Sequence, residues 1–373
     1  MSRRALWTAM RETNLRAGTT DSELPLLSVS MTRGVLRFED LHPDKIARAD
    51  SFENYKIVSV GDLVLNRMSA TSGAVGVAQE KGMVSPDYAT FRAYDEEDAR
   101  FLSRLVGSKG FIDAELRPLL RGIGVGSDGG VRTPRVNSSD LLGVKTWLPD
   151  LATQRRIADY LDDETREMDE MIAYLEGLVG ELKQRKKAFA ARLVIENDFP
   201  RAPLSTFLAM NSGDAISSDV IKDEGEYPVY GGNGLRGYTN SANVMEERIL
   251  IGRQGALCGN VHRVQPSFFA TEHALVVKPF TEVNLIWLEH ALREMNLGEL
   301  STSVAQPGIT ATKVLLQRVP VPPMENQREI ANQLDKETAN MDAIISTSQS
   351  LIEDLKARKT ALITEVVTGR KEV

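Results

Sequence analysis

Between residues 149 and 194, apolar side chains recur every seven positions, and charged side chains occupy most of the positions between them. The recurring positions are Leu161, Met168, Leu175, Leu182 and Phe189. Apolar residues at heptad spacing, with charge on the other faces, are typical of a coiled-coil helix. No proline follows Pro149 in this segment. The pattern therefore predicts one unbroken helix of about 40 residues, or ~60 Å at a rise of ~1.5 Å per residue.

The same pattern returns later in the sequence. A segment of 46 residues that begins at Pro322 aligns without a gap with the segment that begins at Pro149, and 19 positions are identical. The two copies are offset by 173 residues. The heptad positions of the second copy are Leu334, Met341, Leu355 and Leu362, and Ser348 interrupts the apolar series. Such a repeat determines the architecture, because it divides the chain into two halves, each a variable region followed by a helix.

A long helix with one apolar stripe needs a partner that covers the stripe. We expect the two repeats to pack against each other in antiparallel orientation, because the region between them must return the chain. The seam of this intramolecular coiled coil would consist of Leu161, Met168, Leu175, Leu182, Leu334, Met341, Leu355 and Leu362. The alternative is that each helix packs on its own neighbouring globular region and that the two helices do not touch.

The regions before the two helices both indicate mixed globular domains. Short β-branched runs, separated by glycine and serine, predict strands at 25–30, 55–67, 73–79, 227–232, 248–253 and 273–279. A helical pattern follows in each region, at 95–108 and at 284–296, and then a loop and a strand lead into the long helix. The same order of elements in both halves suggests two related domains.

The predicted fold class is therefore α/β (α+β) with a pseudo-two-fold organisation. Two mixed globular domains, 1–148 and 195–320, are separated by two long antiparallel helices, 149–194 and 321–373, that form an intramolecular coiled coil.

Composition places limits on location and partners. The chain has 373 residues, enough for more than one domain, and a single cysteine, Cys258, which excludes an internal disulfide. No apolar run approaches the ~20 residues of a membrane span, and no secretory signal is recognisable, so we expect a cytoplasmic protein. The formal net charge of −7 does not favour nucleic-acid binding by the molecule as a whole. Any DNA contact would have to be local, through clustered arginines.

Patterns that would indicate catalysis are sparse. Residues 124–129 match G-x-G-x-x-G, but no buried strand precedes them and no helix opens after them, which favours a flexible glycine loop over a cofactor site. Residues 85–88 resemble the catalytic motif of amino-methyltransferases only superficially, because the second proline is missing. Glu272 and His273 could form an acid/base pair, but successive side chains of a strand face opposite ways, which favours a structural histidine. We expect no catalytic residue and no metal site.

The openings of the two repeats resemble those of a known family. Its members typically show P-L-P-P-x-x-E-Q-x-x-I-A at this place, and here Thr153 and Asn326 replace the acidic residue before Gln154 and Gln327. Further similar stretches are Leu26–Ser30, Arg33–Val35, Tyr227–Gly234 and Ile251–Gly255. Over nearly its whole length the chain resembles the specificity subunit of type I restriction–modification systems, the HsdS family.

The resemblance implies sequence-specific recognition of DNA without catalysis by this chain. In such subunits each variable domain, or target-recognition domain, recognises one half of a split double-stranded DNA target, and the helices set the gap. Two modification subunits dock on the helices and supply S-adenosylmethionine and the methylation chemistry. Two restriction subunits, where present, add ATP- and Mg-dependent translocation and cleavage. The chain itself would bind no cofactor and no membrane.

Base readout needs Arg, Lys, Asn or Gln side chains that reach base edges, while other cations and hydroxyls contact phosphates. Loop residues of this kind next to glycines are the candidates. They are Arg33, Arg67, Arg132 and Arg135 in the first domain, and Asn233, Arg236, Tyr238, Arg253, Gln306 and Lys313 in the second. Each of them could equally be a solvated surface residue.

Two other classes of function stay open at this point. A self-contained DNA methyltransferase would need an S-adenosylmethionine motif and a complete catalytic tetrad, and neither is recognisable. A scaffold that joins two protein-binding domains without touching DNA is favoured by the acidic net charge. The sequence does not reveal the DNA target, the gap length or the presence of a restriction subunit.

Overall fold

The computed structural model describes residues 3–18, 24–31, 33–43, 52–121, 134–255, 257–301 and 307–373. The chain divides into two compact units. Unit 1 consists of residues 1–175 and 350–373, and unit 2 consists of residues 176–349. The division cuts each of the two long helices near its middle, so that each unit contains part of both.

Unit 1 begins with short strands that alternate with turns. Its described strands are β1 (Arg3–Ala5), β2 (Met10–Thr13), β3 (Leu27–Ser30), β4 (Gly34–Arg37), β5 (Lys56–Val58), β6 (Leu63–Asn66), β7 (Val75–Val77), β8 (Gly82–Val84), β9 (Tyr88–Ala93) and β10 (Lys145–Trp147). One antiparallel sheet has the order β2-β9-β6-β7, and the remaining strands pair as β1-β10, β3-β4 and β5-β8. The β1-β10 pair holds the start of the chain beside the strand that leads into the first long helix.

Unit 1 also contains several helices. They are α1 (Phe38–Leu41), α2 (Ala99–Gly107), α3 (Lys109–Phe111), α4 (Ser138–Leu142) and the long α5 (Leu151–Val194), whose second half belongs to unit 2. The side chain of Asp98 caps α2 by accepting hydrogen bonds from the backbone amides of Arg100 and Phe101. Phe101 and Leu105 are fully buried and share one core with the sheet.

Unit 2 repeats this plan. Its described strands are β11 (Arg201–Pro203), β12 (Leu208–Ser212), β13 (Tyr227–Gly231), β14 (Gly234–Thr239), β15 (Arg248–Gly252), β16 (Val261–Val264), β17 (Phe269–Ala270), β18 (Ala274–Pro279) and β19 (Arg318–Pro320). Its helices are α6 (Leu285–Glu294), α7 (Ala311–Leu315) and the long α8 (Met324–Val367), whose last part belongs to unit 1. The main antiparallel sheet has the order β12-β18-β15-β16, and β14-β13-β17 forms a second sheet.

The two units share strand order and register. Leu63 of β6 pairs with Phe91 of β9, and Ile249 of β15 pairs with Val277 of β18 at the equivalent place. The pairs β1-β10 and β11-β19 occupy equivalent positions as well. In each pair the second strand, β10 or β19, leads into a long helix. All six predicted β runs contain a strand, and α2 and α6 lie within the two predicted helical segments. The two units therefore share one order of strands and helices.

In unit 1, α5 and α8 run antiparallel. Tyr160 accepts a hydrogen bond from Lys371 Nζ at 3.2 Å, and further along α5 Asp169 Oδ1 lies 2.6 Å from Lys359 Nζ. The contacts therefore advance along one helix as they retreat along the other. Beyond the ion pair, the two helices bury a small cluster of Ile172, Leu175, Ile352 and Leu355.

Unit 2 contains the equivalent arrangement. Lys186 Nζ lies 2.6 Å from Asp342 Oδ1, and both residues are 173 positions from their counterparts Lys359 and Asp169. The end of α5 and the start of α8 then bury Val194 and Leu334 in the core of the unit. The same ion pair thus recurs in each unit with the roles of the two repeats exchanged.

Most of the predicted seam residues are buried, and the contact between the two helices is more polar than expected. The predicted residues Leu161, Met168, Leu175, Leu334, Met341 and Leu362 are buried, and Leu182 and Leu355 are half-buried. A second set four residues further on completes the 3-4 spacing, namely Thr165, Ile172, Val179 and Lys186 on α5 and Thr338, Ile345, Ile352 and Lys359 on α8. Its threonines and lysines lie outside the predicted apolar stripe. Ser348 is buried at its seam position.

The alternative, in which each long helix packs on its own neighbouring globular region, is correct in part. Leu161 belongs to the same buried cluster as Phe101 of α2, and Leu334 belongs to the same cluster as Trp287 of α6. Each long helix therefore begins against its neighbouring globular core and continues as one of the two paired helices.

Candidate nucleic-acid interface

Two arginines occupy the same place in the two units. Arg67 directly follows β6, and Arg253 directly follows the equivalent strand β15. The carbonyl oxygen of Arg67 accepts a hydrogen bond from Val136 N at 3.3 Å, and that of Arg253 accepts one from Ile309 N at 2.9 Å. Val136 and Ile309 are themselves 173 residues apart. The structure therefore assigns both predicted arginines to one equivalent position.

The two side chains differ in what they contact. In unit 1, Arg67 Nε donates to the carbonyl of Val136 at 3.0 Å and Nη2 donates to Asn137 Oδ1 at 3.2 Å. This half-buried guanidinium holds the chain that leads into α4. In unit 2, Arg253 Nη1 donates to Ser212 Oγ at 3.0 Å and lies 3.4 Å from the carbonyl of Glu272. Arg253 therefore joins the ends of β12, β15 and β18.

The other unit 1 candidates lie on separate segments. Arg33 is exposed beside β4, and its Nη2 donates to the carbonyl of Asp40 at 3.4 Å. Arg135 is exposed, and its backbone pairs with that of Arg121, at 3.0 and 3.1 Å. Arg135 thus lies next to Val136 and so close to Arg67. Arg132 and the glycine loop 124–129 lie outside the described residues.

In unit 2, three predicted residues come together. The tip of the β13–β14 hairpin, 231–234, lies against the end of β15, where a Cβ on Gly232 would stand 2.8 Å from the carbonyl of His273. Asn233 is exposed at this tip, 3.5 Å from Asn260 Nδ2. Arg236 is exposed on the adjoining strand. Asn233, Arg236 and Arg253 therefore belong to one surface of unit 2.

Tyr238 and Lys313 have other surroundings. The backbone of Tyr238 pairs with Lys222 through hydrogen bonds of 2.8 and 2.9 Å, and its ring is half-buried. Lys313 Nζ donates to the carbonyl of Leu300 at 3.2 Å. Gln306 lies outside the described residues.

The surface formed by the hairpin tip and the end of β15 presents several side chains that can donate hydrogen bonds, among them those of Asn233 and Arg236. Arginine, asparagine and glutamine side chains match base edges and phosphates. Within the described parts of the chain, no group of three or more His, Cys, Asp or Glu residues could hold a metal ion. None of the described helices is both long and apolar enough to cross a membrane.

Comparison with known proteins finds similarity over part of the chain. Residues 203–354 match the family model described as the type I restriction modification DNA specificity domain. Over 170 residues, 44% of this chain, the sequence is 39% identical to the type I restriction enzyme EcoprrI specificity subunit of Escherichia coli. This chain is therefore similar to type I specificity subunits. The matched part spans 42% of the length of that relative.

Two solved structures show that the likeness of fold extends over the whole chain. A chain from a study of complex assembly and conformational transition in a type I R-M system superposes with a TM-score of 0.74, covering 99% of this chain and 98% of that one. The S subunit of a type I system from M. genitalium superposes with a TM-score of 0.51, covering 98% and 95%. Both are 16% identical in sequence to this chain. The predicted specificity-subunit fold is confirmed.

The sequence-based selection of site residues omitted two side chains beside Arg253. Gln254 is exposed, and its Oε1 lies 3.1 Å from Nδ1 of His273. His273 Nε2 lies 3.4 Å from Glu272 Oε1. The argument that Glu272 and His273 face opposite ways is wrong, because both precede β18 and do not follow strand geometry. The flanking glycines of the segment 251–255 were the signal that could have identified Gln254.

Unit 1 contains a buried lysine near the equivalent strand end. Lys56 is 5% exposed, and its Nζ donates to the carbonyl of Tyr88 at 2.7 Å, where β9 begins beside the end of β6. Burial lowers the pKa of Lys56 below its ordinary value. Lys56 therefore anchors Tyr88, the last residue of the tetrad 85–88, and takes a structural part there.

Proposed function

We propose that this chain is the sequence-specific DNA-recognition subunit of a type I restriction–modification complex and carries out no catalysis of its own. The observation that supports the proposal best is the repeated placement of Arg67 and Arg253 at the end of equivalent strands, one in each unit. Each unit would recognise one half of a bipartite target in double-stranded DNA. The length of the helices would set the gap between the halves.

The helices also supply a reason to expect protein partners. Large apolar side chains are exposed along them, among them Met171 and Ile344, which are equivalent positions of the two repeats. Tyr174 and Leu351 are exposed beside these positions. Exposed apolar residues on a helix that already has a partner are typical of a further interface. We assign this outer face to the docking of two modification subunits.

Cofactor chemistry belongs to those partners in this proposal. The modification subunits would bind S-adenosylmethionine, and restriction subunits, where they are present, would use ATP and Mg²⁺. The specificity subunit would determine where the complex binds along the DNA. It would act in the cytoplasm.

The decisive experiment measures DNA binding by the assembled methyltransferase. The probe is a duplex with the two-part motif mapped from methylated adenines in a host that expresses this chain and its modification partner. Arg236→Ala and Arg253→Ala should each weaken binding by about 5- to 100-fold while leaving complex formation intact. Arg201→Ala, an exposed arginine on β11, is the matched control and should change little.

Unchanged binding by both variants would discard these assignments. The scaffold alternative is tested in the same assay, because affinity that does not fall as salt rises would rule out a DNA-recognition role. Methyl transfer by the purified chain alone would favour a self-contained methyltransferase instead.

A further inference from the structure

Gln254 is held in a defined orientation by its neighbours. Its Oε1 lies 3.1 Å from His273 Nδ1, so the imidazole donates a hydrogen bond to one lone pair of the amide oxygen. Among the described contacts, the amide Nε2, with its two donors, and the second lone pair of Oε1 have no partner. A side chain whose rotamer is fixed by such a contact loses less entropy when it binds a ligand.

The backbone under this pair is fixed as well. Arg253 N donates to the carbonyl of His273 at 2.8 Å, which joins the two segments directly. Gln254 forms an antiparallel bridge with Gly308, and Gly255 N donates to the carbonyl of Pro307 at 3.0 Å. The Gln254–His273 pair is therefore positioned by contacts between distant parts of unit 2 rather than by a free loop.

Gln254 is followed by a glycine with open space beside it among the described residues. Gly255 has φ +90°, and a Cβ built on it would meet no described atom within 4 Å. On the other side, the absence of a side chain at Gly232 allows the hairpin tip to approach Gln254 closely, since a Cβ there would lie 3.4 Å from the Gln254 carbonyl. Glycine next to an oriented polar side chain lets a nucleic acid come close to the backbone.

Arg253 is less suited to the same task. Its Nη1 already donates to Ser212 Oγ and lies close to the carbonyl of Glu272, so part of the guanidinium is committed to the strand ends. Gln254 has no comparable commitment of its amide nitrogen among the described contacts. The division of roles is that Arg253 builds the surface and Gln254 projects from it.

We propose that Gln254 recognises a base edge in the half-target of unit 2 and that His273 is the residue that positions it. The chemical match is adenine, because a glutamine amide donates from Nε2 to N7 and accepts from the N6 amino group in the major groove. One lone pair on Oε1 is sufficient for this second contact, so the His273 bond and the base contact are compatible. The inference rests on the proposed DNA-recognition function and assigns one specificity-determining position within it.

The test uses the full chain expressed with its modification partner in a host, followed by mapping of methylated adenines in the genome. The wild-type protein should produce a two-part motif. Gln254→Ala should turn one adenine position in one half-target into a degenerate position and leave the other half unchanged. Gln265→Ala, an exposed glutamine of the same unit that bonds Glu247, is the matched control and should preserve the complete motif.

Binding by the purified complex gives a second measurement that does not depend on methylation. The ratio of affinities for the target and for a duplex with that one adenine pair replaced should be about 5- to 150-fold for the wild type, as a bidentate contact provides. Gln254→Ala should reduce the ratio to near one. His273→Ala should reduce it partly, and His273→Asn, which retains a donor, should restore it.

The outcomes distinguish a failure of the role assigned to Gln254 from a failure of the proposed DNA-recognition function. A two-part motif that Gln254→Ala leaves unchanged, with an unchanged affinity ratio, overturns the role of Gln254 and keeps the proposed function. Degeneracy after His273→Ala that His273→Asn does not restore overturns the positioning role. The absence of any two-part motif with the wild-type protein overturns the proposed function and this inference together.

Discussion

Arg104 in unit 1 and His290 in unit 2 occupy equivalent positions, six residues after the capping residues Asp98 and Asn284. Arg104 forms an ion pair with Asp162 of the first repeat. His290 instead lies buried close to Asp335, the counterpart of Asp162 173 residues later, and burial lowers its pKa below the ordinary value. The same junction between globular core and long helix is therefore held by a permanent cation in one unit and by a buried titratable ring in the other.

A second junction is the same in both units. Gln154 Oε1 accepts from Asp98 N at 2.9 Å, and its Nε2 donates to the carbonyl of Pro149 at 2.8 Å. Gln327 makes the matching bonds to Asn284 N and to the carbonyl of Pro322, both at 2.9 Å. The glutamine that opens each repeat thus connects the start of a long helix to the start of the preceding short helix. This contact requires the same geometry in both units, whereas the contact at Arg104 and His290 tolerates a change of chemistry.

The largest effect should come from the apolar part of the junction, where the two units are alike. Leu161 and Leu334 are both fully buried, each in the core of its own unit. Leu161→Ala and Leu334→Ala should each lower the free energy of unfolding by about 2–5 kcal/mol, because each leaves a cavity at the helix–core contact. Urea unfolding followed by circular dichroism measures this. A loss below about 1 kcal/mol for one variant would show that the two junctions are not equivalent.

The glutamine contact should show a smaller and unequal effect. Gln154→Ala and Gln327→Ala each leave buried backbone groups without partners, at about 1–3 kcal/mol of unfolding free energy. The loss should be greater for Gln154, because its Nε2 also donates to the buried carboxylate of Glu97. Gln333→Ala on α8, which removes a 3.4 Å contact to Glu329, is the matched control and should stay within about 0.5 kcal/mol. Equal losses of unfolding free energy for the Gln154 and Gln327 variants would show that the contact with Glu97 does not add to stability.

The smallest effect should be a stronger loss of stability on acidification in unit 2 than in unit 1, between about pH 7 and about pH 5. Burial lowers the pKa of His290, and Arg293 and Lys186 act in the same direction, while Glu289 and Asp335 raise it. The unfolded chain then binds a proton at higher pH than the folded unit, so stability is complete above the ordinary histidine pKa of ~6.5 and falls as the pH decreases below it. The pKa of His262, also in unit 2, is lowered mainly by burial and adds to this trend.

Hydrogen exchange resolved by peptide can compare the two units directly. On acidification from about pH 7 to about pH 5, peptides of α6 should lose protection relative to peptides of α2, which contains Arg104 instead. His290→Gln should reduce this loss without abolishing it, since His262 still titrates. Equal loss of protection in α2 and α6 would contradict the comparison.

The charge difference at the junction was not predictable from either half alone. The repeat is visible in the sequence, but Arg104 and His290 lie in the variable regions, where identity has decayed. Only the capping residues Asp98 and Asn284, and the shared strand order before them, place the two side chains at the same position. The candidate site shows the same limit. Asn233, Arg236 and Arg253 were selected as loop residues next to glycine, while Gln254 was omitted although it belongs to the same segment.

What the sequence determined by itself is the repeat, the two long helices and the order of elements in the two halves. These follow from periodicity along the chain, and a heptad spacing retains its meaning wherever the helix is placed. The tertiary structure alone decided that Arg67 holds Val136, that Gln254 meets His273, and that the threonines and lysines Thr165, Lys186, Thr338 and Lys359 complete the seam. Such contacts join residues that are far apart in sequence. They depend on strand register and on the pairing of two distant helices, and side-chain chemistry at one position does not encode either.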